Sequence, residues 1–276
     1  MVKLSVNVNK LALLRNSRDG KGPDVLRLSE LALDCGAHGI TVHPRPDERH
    51  IRRDDARQIG ALLRDRDEAE FNVEGNPFEG EWMKLVLDIA PDQATLVPDD
   101  PNQSTSDHGF EAKDVERLKP IIAKLKDVGC RVSVFVDPVE STAAAMAECG
   151  ADRVELYTER YAVEFAKGDT GAAGRFACAA TAATKAGLGV NAGHDLNLSN
   201  LTNFHKSIPE LAEVSIGHAL VGDAIEFGLS ETIRRYLACL GQEPPARKSI
   251  FERASAQRAS LTEESHGMTN LIRRSG

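Results

Sequence analysis

The chain is short of everything that marks an exported, membrane-bound or metal-clustered protein. Its five cysteines, Cys35, Cys130, Cys149, Cys178 and Cys239, are odd in number, widely spaced and without a CxxC pair. That pattern argues against a disulfide framework and predicts buried, reduced thiols. No apolar stretch nears the roughly 20 residues that span a bilayer, and the opening MVKLSVNVNK lacks the apolar run and small-residue cleavage site of a signal peptide. The expectation is a cytoplasmic protein with no membrane partner. Basic charge is in deficit as well: 34 Lys and Arg stand against 42 Asp and Glu, a net charge of −8. This balance offers no broad surface to a nucleic acid, but it leaves room for a local phosphate pocket. HxH, HExxH and Cys/His clusters are all missing, so no metal is expected.

What is present is an alternation. Short runs of strand character begin near Lys3 (KLSVNV), His38 (HGITVH), Glu70 (EFNVE), Gln93 (QATLV), Cys130 (CRVSVFV), Asp152 (DRVELY), Gly187 (GLGVN) and Ala212 (AEVSIG). Between them lie segments with helical spacing: 25–34, 53–66, 79–89, 111–128, 140–148 and 172–186, with 219–240 after the last strand and a shorter, less regular piece at 197–208. Gly36, Gly129, Gly150 and Gly187 fall where a left-handed residue would end a helix and feed the next strand. Strands joined by helices imply parallel, right-handed crossovers, and eight units predict closure into a (β/α)8 barrel. The expected organisation is one barrel over residues 1–242 and a tail, 243–276, that is helical or disordered. Residues 98–110 (PDDPNQSTSDHGF) form a long polar loop, read as a lid.

The reactive side chains sit at the carboxyl ends of these runs. His43 closes GITVH, Glu74 closes FNVE, His194 follows GVNAG and His218 follows VSIG. In α/β barrels those ends converge on the active-site face. The loop HPRPDERH sets Arg45, Arg49 and His50 beside His43, which reads either as an anion site or as a solvated loop ion-paired through Asp47 and Glu48. Glu74 ends an apolar run, where burial would raise its pKa and suit it to proton transfer; the other reading pairs it with a barrel arginine. Asn7 either orients a carbonyl or caps a helix. Gly193 and Gly217 allow close backbone approach, and the helix opened after Gly217 favours an anion at its amino end.

NVNKLALLRNSR, GITVHPRPDERHI, FNVEG, LVPD, NAGHDL and IGHALVG occur in this order over residues 3 to 240, and together they resemble the pyridoxine 5′-phosphate synthase family of deoxyxylulose-dependent vitamin B6 biosynthesis. The resemblance implies a (β/α)8 transferase, without metal or organic cofactor, that condenses 3-amino-2-oxopropyl phosphate with 1-deoxy-D-xylulose 5-phosphate. It implies His43 and Glu74 as proton acceptors and His194 as proton donor. Asn7, Arg18, Asp195, Gly217 and His218 would then hold the aminooxopropyl phosphate, and Arg45, His50 and Thr105 the deoxyxylulose phosphate. Asn9 and Lys10 stand where the family pattern has Asp-His and are expected to reach the sugar hydroxyls. Asp195 stands where it has Gly, and its carboxylate is expected to point away from the phosphate. The resemblance also implies a homo-oligomer, an octamer built from dimers, in which Arg18 reaches a neighbouring subunit's site.

Two rivals have distinct signatures. A sugar-phosphate epimerase or imine-forming aldolase is the first; the aldolase needs a lysine at a strand's carboxyl end, and none of the eight runs ends in one. A non-catalytic phosphometabolite sensor would need the phosphate loops but not Glu74.

Overall fold

Strict alternation within each strand sets the architecture. The computed structural model describes residues 1–20, 22–100, 103 and 105–243. Eight parallel strands, β1 (Lys3–Asn7), β2 (Gly39–Val42), β3 (Glu70–Gly75), β4 (Gln93–Leu96), β5 (Arg131–Val136), β6 (Arg153–Tyr157), β7 (Gly189–Gly193) and β8 (Leu211–Ile216), pair in chain order and close into a barrel. The closing seam sets Lys3 against Glu213 and Val6 against Ile216. The expected (β/α)8 barrel is therefore the observed fold.

Eleven α-helices lie among the described residues. They are α1 (Asn9–Asn16), α2 (Val25–Asp34), α3 (Arg53–Arg64), α4 (Trp82–Ile89), α5 (Val115–Asp127), α6 (Glu140–Ala145), α7 (Glu159–Ala166), α8 (Gly174–Lys185), α9 (Leu201–Ser207), α10 (His218–Phe227) and α11 (Leu229–Cys239). The four glycines read as helix stops all adopt left-handed backbone, with φ between 83° and 100°. Three elements differ from the sequence reading. Helix α1 follows β1 directly, α7 precedes α8, and Gly228, at φ 77°, splits the segment 219–240 into α10 and α11.

The apolar alternates of the strands, such as Leu4, Val6, Ile40, Val42, Val132 and Val134, are fully buried in one continuous cluster with helix residues Leu11, Ile59, Leu118 and Ile233. Burying each such aliphatic side chain contributes about 1.5–3 kcal/mol. The other alternates face the barrel lumen and are mostly polar, with Phe135 and Tyr157 apolar at the carboxyl end. Gln93 on β4 donates to Glu213 on β8 at 3.3 Å and Asn191 on β7 donates to Gln93 at 3.3 Å; strands so far apart in the sheet order meet only across the lumen. At the amino-terminal end of the barrel Glu70 accepts from Arg131 and Lys3, and these bonds, against the opposing effect of burial, bring its carboxyl down to about 2. These hydrogen bonds fill the lumen towards its amino-terminal end and leave the carboxyl end to carry chemistry.

The cysteines are all unpaired. Cys130 and Cys149 are buried as expected, whereas Cys35 and Cys239 are only partly so. Cys178 is exposed, because it lies on the outer face of α8, opposite the buried Phe176, Ala179 and Ala180. No helix among the described residues is long and apolar enough to cross a membrane. The tail reading for 244–276 and the lid positions Pro101, Asn102 and Ser104 lie outside the described residues.

Candidate active site

A cavity of about 310 Å³ opens at the carboxyl ends of the strands. It brings together Asn7, Asn9, Lys10, His43, Arg45, His50, Glu74, Thr105, His194, Asp195, Gly217 and His218. Arg18 and Arg49 are absent from its wall; Arg18 is exposed, beyond the end of α1. Val97 and Phe135 supply an apolar side, backed by Tyr157.

His43 and Glu74 form the floor. His43 Nδ1 lies 3.7 Å from Glu74 Oε2, and its Nε2 lies 3.6 Å from Asp99 Oδ2. Glu74 also receives long hydrogen bonds from Asn7 Nδ2 at 3.4 Å and Ser215 Oγ at 3.5 Å. Its main-chain carbonyl accepts the indole N–H of Trp82 at 2.7 Å, which pins the end of β3. That contact is possible because residue 75 is Gly: a Cβ there would come within 2.3 Å of the indole nitrogen. Burial, then the nearby Asp99 carboxylate, pushes Glu74 up to about 8. Burial, then Arg45 and Arg49, pushes His43 down to about 3. Burial thus weighs against the charged form of both side chains.

The HPRPDERH loop forms one wall. Arg45 donates to Asp99 through Nη2 and to the Gln103 main-chain carbonyl through Nη1 at 2.9 Å, and Arg49 reaches the same carbonyl at 2.8 Å. Ser106 adds a bond to Asp99 at 3.0 Å. These contacts hold Asp99, Gln103 and Ser106 against the arginines of the loop. His50 Nδ1 accepts the N–H of Ile51 at 2.9 Å, so the neutral ring carries its proton on Nε2 and presents a donor. Burial, followed by the surrounding cations, keeps that ring neutral, with its pKa down to about 3. Beneath the loop, buried Arg15 on α1 makes a bidentate pair with Asp55 at 2.6 and 2.9 Å and donates to the His50 carbonyl at 3.1 Å.

Opposite them, His194 has a left-handed backbone at φ 76°. Its ring packs edge-on to Tyr157, centroids 4.9 Å apart, with Nε2 3.0 Å from Thr105 Oγ and Nδ1 2.7 Å from Asp195 Oδ2. The carboxylate of Asp195 thus turns towards His194. Glu155 Oε1 lies over Gly193, where a Cβ would approach to 2.3 Å. Burial, with Glu74 and Glu213 near, pushes the Glu155 carboxyl well up.

Asn9, at the start of α1, lines the cavity, and its Oδ1 accepts the main-chain N–H of His43 at 2.9 Å, tying α1 to the end of β2. Sequence reading passed over Asp99, Glu155, Ser215 and Arg15. The signal for Glu155 and Ser215 was the lumen-facing alternate of β6 and β8, two positions before Tyr157 and Gly217. Among the described residues no group of three or more His, Cys, Asp or Glu is arranged to hold a metal ion.

Comparisons with known proteins agree with one another. The family model described as "Pyridoxal phosphate biosynthesis protein PdxJ" matches residues 4–242. The chain is 50% identical over 241 residues to "Pyridoxine 5'-phosphate synthase" of Christiangramia forsetii, covering 87% of this chain and 100% of the relative. It is 52% identical over 244 residues to the protein so named from Bacteroides fragilis, again over 87% and 100%. Among solved structures, the HMG-CoA lyase of Brucella melitensis superposes with a TM-score of 0.55 over 86% of this chain and 96% of that one; at 16% identity the likeness shows the barrel fold alone.

Proposed function

The chain belongs to the pyridoxine 5′-phosphate synthase family, described as pyridoxal phosphate biosynthesis protein PdxJ, and from that membership we propose how its cavity works. The enzyme condenses 3-amino-2-oxopropyl phosphate with 1-deoxy-D-xylulose 5-phosphate to pyridoxine 5′-phosphate, with loss of inorganic phosphate and water. The amine attacks the ketone and water leaves to give an imine; carbon acids then lose protons, and hydroxyl and phosphate groups depart before the ring aromatises. Proton transfers at several atoms need several groups that exchange protons near neutrality.

The observation that carries the reading is the convergence of His43, Glu74 and His194 on one cavity walled by Arg45, His50 and the start of α10. In our assignment His43 and the ionised form of Glu74 accept protons from the carbon acids. His194 is the proton donor. Arg45, His50 and Thr105 hold the deoxyxylulose phosphate, with Lys10 beside them. The aminooxopropyl phosphate lies against Asn7, Gly217, His218 and the main chain of Asp195, where the first N–H groups of α10 face it. Phosphate handles far from the reacting carbons orient the two substrates. The segment 98–110 acts as a lid that keeps water from the imine.

We further propose that the barrel, residues 1–242, is the catalytic unit, that the protein is cytoplasmic, and that it assembles as a homo-oligomer in which exposed Arg18 completes a neighbouring copy's phosphate site. No metal or organic cofactor enters the scheme. The test mixes EDTA-treated protein with both substrates and follows product by chromatography, with His194→Ala in parallel. Product from the parent and almost none from the variant supports the assignment. A folded parent that binds both phosphates without turnover contradicts it and favours a sensor.

A further inference from the structure

We propose that Asp195 is a positioning residue for His194, fixing its ring with one proton on Nδ1 so that Nε2 is the atom that exchanges protons with substrate. The proposal rests on the reading of His194 as the proton donor and deepens it. Asp195 Oδ2 lies 2.7 Å from Nδ1, whereas Nε2 turns the other way, 3.0 Å from Thr105 Oγ at the lid. A carboxylate only accepts, so Nδ1 must donate, and the neutral ring exposes its lone pair at Nε2. The hydrogen bond from His194 holds the Asp195 carboxyl below its ordinary range, so the acceptor stays ionised.

The surroundings over-determine this geometry. His194 keeps its left-handed backbone because Thr158 Oγ binds the carbonyls of Gly193 at 2.6 Å and His194 at 3.2 Å. Asn200 Nδ2 holds the carbonyl of Asp195 at 3.1 Å, and the Leu196 N–H returns to the His194 carbonyl. Edge packing on Tyr157 stops the ring from turning. In the step served, the Nε2–H bond of the imidazolium breaks as an O–H bond forms on the departing hydroxyl. The C–O electron pair leaves with water as the pair of the neighbouring C–H bond, its proton taken by His43 or Glu74, forms the new C=C bond, and the ring remains neutral with Nδ1–H on Asp195. Without the carboxylate the neutral ring divides between two tautomers, one of which has no acceptor facing substrate.

The test measures kcat and KM for both substrates in Asp195→Ala, Asp195→Asn and His194→Ala, each with and without formate. A carboxylate that only oriented the ring leaves binding alone, so kcat of Asp195→Ala falls on the order of 10²-fold while each KM stays within about twofold. Formate, filling the vacated place beside Nδ1, restores part of that kcat and none in His194→Ala. A parental kcat, a loss carried by KM, or a lost kcat that formate leaves unchanged overturns the proposal, while a dead His194→Ala keeps the proton-donor assignment standing. Turnover persisting in His194→Ala overturns that assignment itself. If Asp195→Ala does not fold, Asp195→Asn decides: its amide NH2 can face Nδ1 and drive the proton to Nε2, so kcat falls, and a parental kcat again overturns the proposal.

Discussion

His43 Nδ1 and Glu74 Oε2 face each other at 3.7 Å, beyond hydrogen-bond distance, in surroundings whose burial weighs against the charged form of each. The imidazole is pushed down to about 3 and the carboxyl up to about 8, burial leading in both. An ion pair here would have to be desolvated on both sides. Keeping both groups near neutrality avoids that cost and leaves two proton-exchanging groups side by side at the strand ends.

Glu74 should make the fold pH-sensitive. Its folded pKa lies above the ordinary value of 4.5, so the folded state holds a proton that the unfolded state has lost, and its contribution declines as pH rises from about 4.5 to about 8. Glu74→Gln removes this linkage. Melting curves of parent and variant at pH 5 and pH 8 should show the variant gaining stability relative to the parent at the higher pH. An equal difference at both values contradicts the raised Glu74 pKa.

Arg45 uses its fork twice, on Asp99 and on the Gln103 carbonyl. Lysine keeps the charge but loses the planar donors. Arg45→Lys should raise KM for 1-deoxy-D-xylulose 5-phosphate about 10-fold or more, from charged hydrogen bonds worth about 1.5–3 kcal/mol. Steady-state kinetics with that substrate varied will show it; an unchanged KM places the sugar phosphate elsewhere.

Gly193 has no room for a side chain, because a Cβ would lie 2.3 Å from Glu155 Oε1. Gly193→Ala should destabilise by about 1–3 kcal/mol through overpacking and reduce turnover by displacing Glu155 and His194 together. Adding Glu155→Ala should recover part of the stability and none of the turnover, a coupling read in denaturant titrations. Simple additivity would show that the two positions do not touch.

Arg15 is a buried cation with Asp55 as its partner, and it carries the His50 carbonyl. Arg15→Ala leaves the Asp55 carboxylate without its cation, holding only the Arg52 main-chain N–H at 2.7 Å, and should cost about 3–5 kcal/mol. Chemical unfolding measures the cost, and a loss under about 1 kcal/mol would mean that Asp55 finds another donor.

The barrel was legible because every strand carries a β-branched or apolar alternate that must face helices, and because glycines such as Gly129 and Gly150 stop the helices. Residues at strand ends followed, since parallel closure gathers them on one face. Helix α1 was illegible for a physical reason: it buries Arg15 beside Leu11 and Ala12 while exposing Leu13 and Leu14, which blurs the amphipathic pattern. Helix α7 buries only Tyr161, too little for a period to show. Asp99, Glu155 and the His194–Asp195 contact depend on side chains brought together across the barrel, which no local pattern records. Arg18 was named through family resemblance, and the fold leaves it on the surface.

The central claim is that the cavity makes pyridoxine 5′-phosphate by acid/base chemistry centred on Glu74. The most direct measurement compares product formation by the parent and Glu74→Gln at saturating concentrations of both substrates, with substrate affinity determined alongside. We predict product from the parent, unchanged affinity in the variant, and turnover lower by on the order of 10²-fold or more. Parental turnover by a folded Glu74→Gln would contradict the account.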